Sequence, residues 1–208
     1  MSTLATAALL AAGLKLAASH APYPDGAPPG FSGGFKEDSC QACHFSQALN
    51  EAPGRVVLVA PPAYEAGKTY TVTITLHRED MKLAGFQLTA RFKDTGAQAG
   101  ALEPAAADRD RVAISDDGKV KYAVQKKAGS AITTTGSAKW TLQWTAPAAG
   151  GAVVFNVAAN AADGDGTTGG GDFIYTASAE AAPSHLVLNN LSLMLRPVED
   201  RLLAIRRD

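Results

Sequence analysis

Two cysteines and a histidine lie together in the segment C-Q-A-C-H at residues 40 to 44, and the sequence contains no other cysteine. The C-x-x-C-H spacing is the attachment signature of a c-type haem. Cys40 and Cys43 can each add to one haem vinyl group to form a thioether. His44 then lies under the iron as the proximal axial ligand. The sequence therefore predicts one covalently attached haem c.

The same segment has three simpler interpretations: a C-x-x-C redox pair, a small disulfide loop, or part of a zinc site. A closed structural zinc site needs four protein ligands, and the chain has no second cysteine pair to complete one. A thioredoxin-like pair is expected beside a βαβ pattern, which the downstream sequence does not show. Covalent haem is therefore the favoured interpretation.

Several residues are candidates for the sixth iron position. His20 precedes a Pro/Gly-rich segment, His77 ends an alternating apolar and polar run, and Met81 follows in a charged loop. His185 and Met194 are further candidates. Each has an ordinary alternative role, as a solvated surface residue or a packing methionine. Water, or no protein ligand, is the remaining alternative.

The N-terminus resembles an export signal, which covalent haem attachment outside the cytoplasm requires. Leu4 to Leu14 is an apolar run of suitable length, and Ala17 and Ser19 are small residues where a signal peptidase cleaves. We predict a signal peptide over residues 1–19 and a location in the periplasm or at the cell surface; an uncleaved helix is the alternative. No apolar run reaches the ~18 residues of a membrane-spanning helix.

Composition favours an all-β domain that does not bind nucleic acid. The chain has 19 basic and 20 acidic residues and a net charge of -1, so it lacks the basic footprint of a nucleic-acid binder. Its 20 glycines, together with many threonines, favour strands and turns over a helical bundle.

Four regions are distinguished by sequence pattern. After the signal peptide, residues 20–54 form a Pro/Gly-rich arm, in which Asp38 or Ser39 is predicted to cap a short helix running through the cysteines toward Leu49. Residues 55–180 alternate apolar and polar side chains with period two in several short runs, which predicts an antiparallel, immunoglobulin-like β-sandwich.

Two other features have competing interpretations. Asp163, Asp165 and Asp172 in a glycine-rich loop offer oxygen ligands for calcium, but a hairpin turn explains them better because the EF-hand pattern is missing. The tail, residues 181–208, contains an apolar and arginine-rich stretch at 186–207. That stretch is predicted either to dock a partner or membrane surface, or to fold back on its own domain.

Five ordered blocks of sequence resemble a known family. They are G-F-S-G-G-F-K-E-D-S-C-Q-A-C-H-F (30–45), P-A-Y-E-A-G-K-T-Y-T-V-T-I (62–74), G-F-Q-L-T-A-R-F (85–92), W-T-L-Q-W-T-A-P (140–147) and N-A-A-D-G-D-G-T-T-G-G-G-D-F-I-Y-T (160–176). Their order is similar to that of the bacterial choice-of-anchor V domains, which are related to the Reeler β-sandwich. The resemblance implies a secreted or surface sandwich with an N-terminal C-x-x-C-H. Many relatives place a histidine after the tyrosine that matches Tyr122, where this chain has Ala123.

Three functions of different classes follow from these features. The first is an extracytoplasmic monohaem electron carrier that works with a redox partner protein. The second is a Reeler-like surface or adhesion module without haem. The third is a haem sensor or enzyme with an open distal site, although no catalytic constellation of side chains is recognisable. The electron carrier is favoured, and no enzymatic activity is predicted.

Overall fold

The computed structural model describes residues 23–184, which form two β-sheets packed face to face. Their strands are β1 (Arg55–Val59), β2 (Ala63–Tyr64), β3 (Thr69–His77), β4 (Leu83–Phe92), β5 (Ala101–Pro104), β6 (Val112–Asp116), β7 (Lys121–Gln125), β8 (Ser137–Thr145), β9 (Val153–Ala162) and β10 (Phe173–Pro183). Two 3-10 turns, Cys40–Ala42 and Ala106–Asp108, and one α-helical turn, α1 (Lys127–Ser130), complete the elements of this range. The predicted all-β class is confirmed.

The predicted signal peptide, the distal candidates His20, His185 and Met194, and the tail stretch 186–207 lie outside the described residues. Among residues 23–184, no helix is long and apolar enough to cross a membrane.

The strands form one sheet of four and one of six. The four-stranded sheet has the order β1-β3-β8-β5, and the six-stranded sheet has the order β2-β10-β9-β4-β7-β6. Every pairing is antiparallel except the one between β2 and the end of β10, which joins Ala182 to Ala63 in parallel. The predicted antiparallel sandwich is thus confirmed for all the long strands. β10 ends at Pro183, slightly beyond the expected boundary.

Two tryptophans of β8 join the sheets through the core. Trp140 and Trp144 are fully buried, and their rings pack against Phe86 of β4 and Phe155 of β9 with centroid distances of 4.6 and 4.9 Å. Both indole N–H groups donate hydrogen bonds of 2.9 Å to backbone carbonyl oxygens. The alternating sequence pattern therefore gives a well-packed aromatic core whose polar atoms are satisfied.

Residues 23–54 form an arm that crosses the outer face of the six-stranded sheet. On β4, the Gln87 side chain accepts the Phe31 N–H at 2.6 Å and donates to a carbonyl oxygen of the arm at 2.8 Å. Toward β10, Asn50 Oδ1 accepts the Thr176 N–H at 2.8 Å. Because a Pro/Gly-rich segment forms few hydrogen bonds within itself, these contacts with the sheet determine its path.

A carboxylate in the middle of the arm makes the strongest of these contacts. Glu37 accepts hydrogen bonds from Arg91 of β4, from the Tyr122 hydroxyl at 2.6 Å and from Ser32 at 2.6 Å. Tyr122 is almost completely buried. This burial is the main cause of a raised pKa of its hydroxyl, and the hydrogen bond to Glu37 is the second cause. Charge-assisted hydrogen bonds in such a protected place hold the arm on the sheet.

We expect Glu37→Ala to release the arm. The substitution leaves Arg91 and Tyr122 without their acceptor, which costs about 1–3 kcal/mol for an unsatisfied buried group. Urea denaturation followed by tryptophan fluorescence should show a loss of this size, and trypsin should cut faster after Lys36. The matched control is Glu180→Ala, which removes an exposed pair with Lys93 and should cost less than about 1 kcal/mol. Equal behaviour of the two variants would contradict the role given to Glu37.

Candidate functional site

A cavity of about 520 Å³ lies between the arm and the outer face of the six-stranded sheet. Its volume is in the range of roughly 300 to 1,000 Å³ found for small-molecule and cofactor sites. Its lining is mostly apolar, with Pro28 and Phe31 from the arm and Leu83 from β4 among the contributors. Cys40, Cys43 and His44 all line this cavity. The fold therefore brings both cysteines and the histidine of the C-x-x-C-H motif to one partly open apolar cavity.

The motif begins in a capped turn. Ser39 Oγ accepts the Gln41 N–H at 3.2 Å, so the predicted cap at this position is confirmed. The predicted helix toward Leu49 is wrong, because the helical structure ends at Ala42. A single helical turn extends into a longer helix only when the following residues are stabilised in the helical conformation. Here the following residue His44 is held in place by its side-chain bonds to the sandwich instead.

The His44 ring is fixed by two polar side chains of the sandwich. Its Nδ1 lies 2.5 Å from Asp172 Oδ2, at the start of β10. The amide nitrogen of Asn160 on β9 lies 3.3 Å from Nδ1 and 3.5 Å from Nε2. An ionised carboxylate only accepts hydrogen bonds, so a neutral His44 ring carries its hydrogen on Nδ1. The lone pair is then on Nε2, where it accepts the Asn160 amide N–H at 3.5 Å, and Nε2 is also an atom through which histidine binds metals.

Asp172 is placed by the loop that joins β9 to β10. The residue is 2 % exposed, and its second oxygen, Oδ1, accepts the Asp163 N–H at 3.1 Å. The preceding residue, Gly171, has a positive φ of 41°, and a side chain there would overlap the Asp163 carboxylate. Only glycine permits the tight turn that carries Asp172 under the arm.

Asp163 and Asp165 act within the hairpin turn that the sequence favoured. Asp163 Oδ1 accepts the Asp165 N–H at 3.0 Å, and Asp165 Oδ1 accepts the Thr167 N–H at 2.7 Å. Asp172 turns toward His44 instead. Between residues 23 and 184, no three His, Cys, Asp or Glu side chains are grouped as ligands for a metal ion.

The two thiols of the motif are free and differ in environment from a redox pair. Burial raises the pKa of Cys40 from 9.0 to about 12, a hydrogen bond from the backbone opposes this, and the neighbouring Cys43 adds a smaller upward effect. The Cys40 side chain is therefore a neutral thiol at pH 7 to 8. Redox-active C-x-x-C motifs need the opposite shift, because the thiolate is the nucleophile.

The distal candidates that the structure describes lie elsewhere. His77 is at the end of β3, opposite Ser137 in the four-stranded sheet, and Met81 is a buried core residue, 5 % exposed. Neither lines the cavity. Strand β7 contributes Gln125 to the lining. The Gln125 side-chain oxygen already has a hydrogen-bond donor within the sheet, because Oε1 accepts the Phe86 N–H at 2.8 Å.

Sequence analysis missed the partners of the motif. Asp172 was considered only as a turn residue or calcium ligand, and no local pattern connects it to a histidine 128 positions away. Gln87 and Asn160 are weakly indicated by the sequence as contact residues, because each is an amide side chain within a largely apolar strand. Such residues are expected where a second segment covers the outer face of a sheet.

Comparison with known proteins gives only distant structural similarity. No family model and no curated protein matches the sequence. The chain is similar to a cohesin module from a Clostridium perfringens family 33 glycoside hydrolase, with 14% identity, 62% of this chain and 96% of that chain covered, and a TM-score of 0.42. A non-cellulosomal cohesin from Archaeoglobus fulgidus gives 6% identity, 65% and 97% coverage, and a TM-score of 0.36. These scores do not bear on function.

We expect Cys40 in the folded, cofactor-free chain to resist alkylation at pH 8. A rise in pKa from 9.0 to about 12 lowers the reactive thiolate fraction about 1,000-fold. The rate of iodoacetamide labelling, measured by peptide mass spectrometry, should be far below that in urea, and should increase as the pH rises toward the raised pKa. Rapid labelling of the folded chain at pH 8 would contradict the buried thiol.

Proposed function

We propose that this protein is an extracytoplasmic monohaem c-type protein that transfers electrons. The observation that supports the proposal is that Cys40, Cys43 and His44 all line one cavity of about 520 Å³. This donor set suits the cofactor: two thiols for the vinyl groups, an imidazole whose lone pair is on Nε2, and apolar walls for a flat aromatic ring. A cationic side chain, Lys127, also lines the cavity and suits the propionate carboxylates.

Each residue of the motif has a distinct task. Cys40 and Cys43 attach the cofactor, and His44 offers the proximal nitrogen, with its ring oriented through Nδ1. A bound haem supplies one-electron redox chemistry. The raised pKa of the half-buried Cys40 thiol is the opposite of what dithiol redox exchange needs, because exchange requires a thiolate.

Exposed apolar groups beside the motif support electron transfer to a partner protein. Phe45, which follows the proximal histidine directly, is 71% exposed, and Leu83 and Tyr23 on the cavity lining are 45% and 48% exposed. Large exposed apolar side chains are typical of protein docking sites when they cluster. A cofactor in this cavity would lie near the surface that such a partner approaches.

Attachment is tested by expression in a host that carries a c-type haem maturation system. After denaturing electrophoresis, the protein should give haem-linked peroxidase staining, and its pyridine haemochrome spectrum should indicate one haem per chain. Cys40→Ala combined with Cys43→Ala should abolish the stain while the sandwich remains folded, because its core comes from other residues. An unstained wild-type band beside a stained control cytochrome would reject the proposal and favour a surface module without haem.

The sixth ligand is tested with matched histidine variants. His77 and Met81 do not line the cavity, and His20 precedes the Pro/Gly-rich arm in the sequence, so His20 is the candidate to test first. We therefore expect a low-spin spectrum for the wild type and a high-spin spectrum for His20→Ala, whereas His77→Ala and Met81→Leu should leave the spectrum unchanged. A high-spin wild type that binds carbon monoxide rapidly would contradict this prediction and favour a sensor or enzyme.

A further inference from the structure

We propose that Asp172 is a positioning residue that makes His44 Nε2 a more basic, more strongly donating iron ligand. This effect lowers the reduction potential of the site. This inference rests on the proposed haem function. Asp172 is 2 % exposed, and its Oδ2 accepts from His44 Nδ1 at 2.5 Å, which is short for a hydrogen bond between nitrogen and oxygen. The acceptor is a charged carboxylate, which makes the bond charge-assisted.

The charge of Asp172 is directed at the His44 ring. Among the ion pairs of residues 23–184, Asp172 takes part only in the contact with His44. Its other oxygen receives one neutral backbone donor, Asp163 N–H. A buried anion with so few donors draws the Nδ1 proton toward itself, because the low-dielectric surroundings strengthen the attraction.

This polarisation changes the ligand rather than merely orienting it. Pulling the proton from Nδ1 raises the electron density and basicity at Nε2, the known effect of a carboxylate behind a metal-bound histidine. A more basic ligand stabilises the more positive, oxidised iron and so disfavours reduction. Asn160 also contacts the ring, but its amide is neutral and contributes orientation alone.

The test compares two charge-removing substitutions in the same loop. Asp172→Asn keeps the shape but loses the charge, and its single amide oxygen can accept from either His44 Nδ1–H or Asp163 N–H. Asp165→Asn removes an exposed charge that contacts only the turn. Reduction potentials should rise in Asp172→Asn by at least the equivalent of a tenfold change in the reduction equilibrium, about 59 mV. Asp165→Asn should stay close to the wild type, and Asp172→Glu, which restores the charge, should recover most of the difference.

A second measurement separates this inference from the haem proposal. In the cofactor-free chain, proton NMR should show a strongly downfield His44 Nδ1–H signal that moves upfield in Asp172→Asn. If wild type attaches haem but Asp172→Asn and Asp165→Asn have the same potential, the role of Asp172 is rejected and the haem proposal stands. If wild type attaches no haem, both fail, and the NMR signal then reports only a structural bond.

Discussion

The hydrogen bond between His44 and Asp172 is the contact on which the arrangement of the site depends. It joins residues 128 positions apart and connects the arm to the β-sandwich beside the cavity. Without it, the C-x-x-C-H segment would be a single 3-10 turn with no fixed histidine. Ring orientation and the lone pair on Nε2 both follow from it. The same contact places His44 on the lining of the cavity that the arm covers.

The bond is possible only because the sheet holds the rest of the arm in place. Gln87 and Glu37 fix the arm along β4, so that its later residues reach the loop before β10. Gln87 and Arg91, which hold the arm on β4, are polar residues on the outer face of the sheet, where they would ordinarily be solvated. The arm forms few hydrogen bonds within itself, so its contact with the sheet satisfies the polar groups of the arm and the polar side chains of the sheet together. The fold thus uses one face of the six-stranded sheet for its core and the other for a site.

The strands could be predicted from the sequence, and so could the motif residues that meet at one cavity. Alternation placed Trp140 and Trp144 in the core, and C-x-x-C-H identified the residues that line the cavity. Helix length was overestimated, because a tertiary bond at His44 competes with local propensity. Asp172 was out of reach, since the approach of two distant segments depends on how the arm crosses the sheet. Short-range patterns contain no information about that crossing.

The central proposal is that the cavity beneath the arm holds a haem that is tethered through Cys40 and Cys43 and whose iron is ligated by His44. The most direct measurement is a crystal structure of protein matured with haem, with anomalous diffraction recorded at the iron absorption edge. The account predicts one anomalous peak in the cavity, within coordination distance of His44 Nε2, with continuous density to both cysteine sulfurs. A cavity with no iron peak, or a peak without a bond to His44, would contradict it.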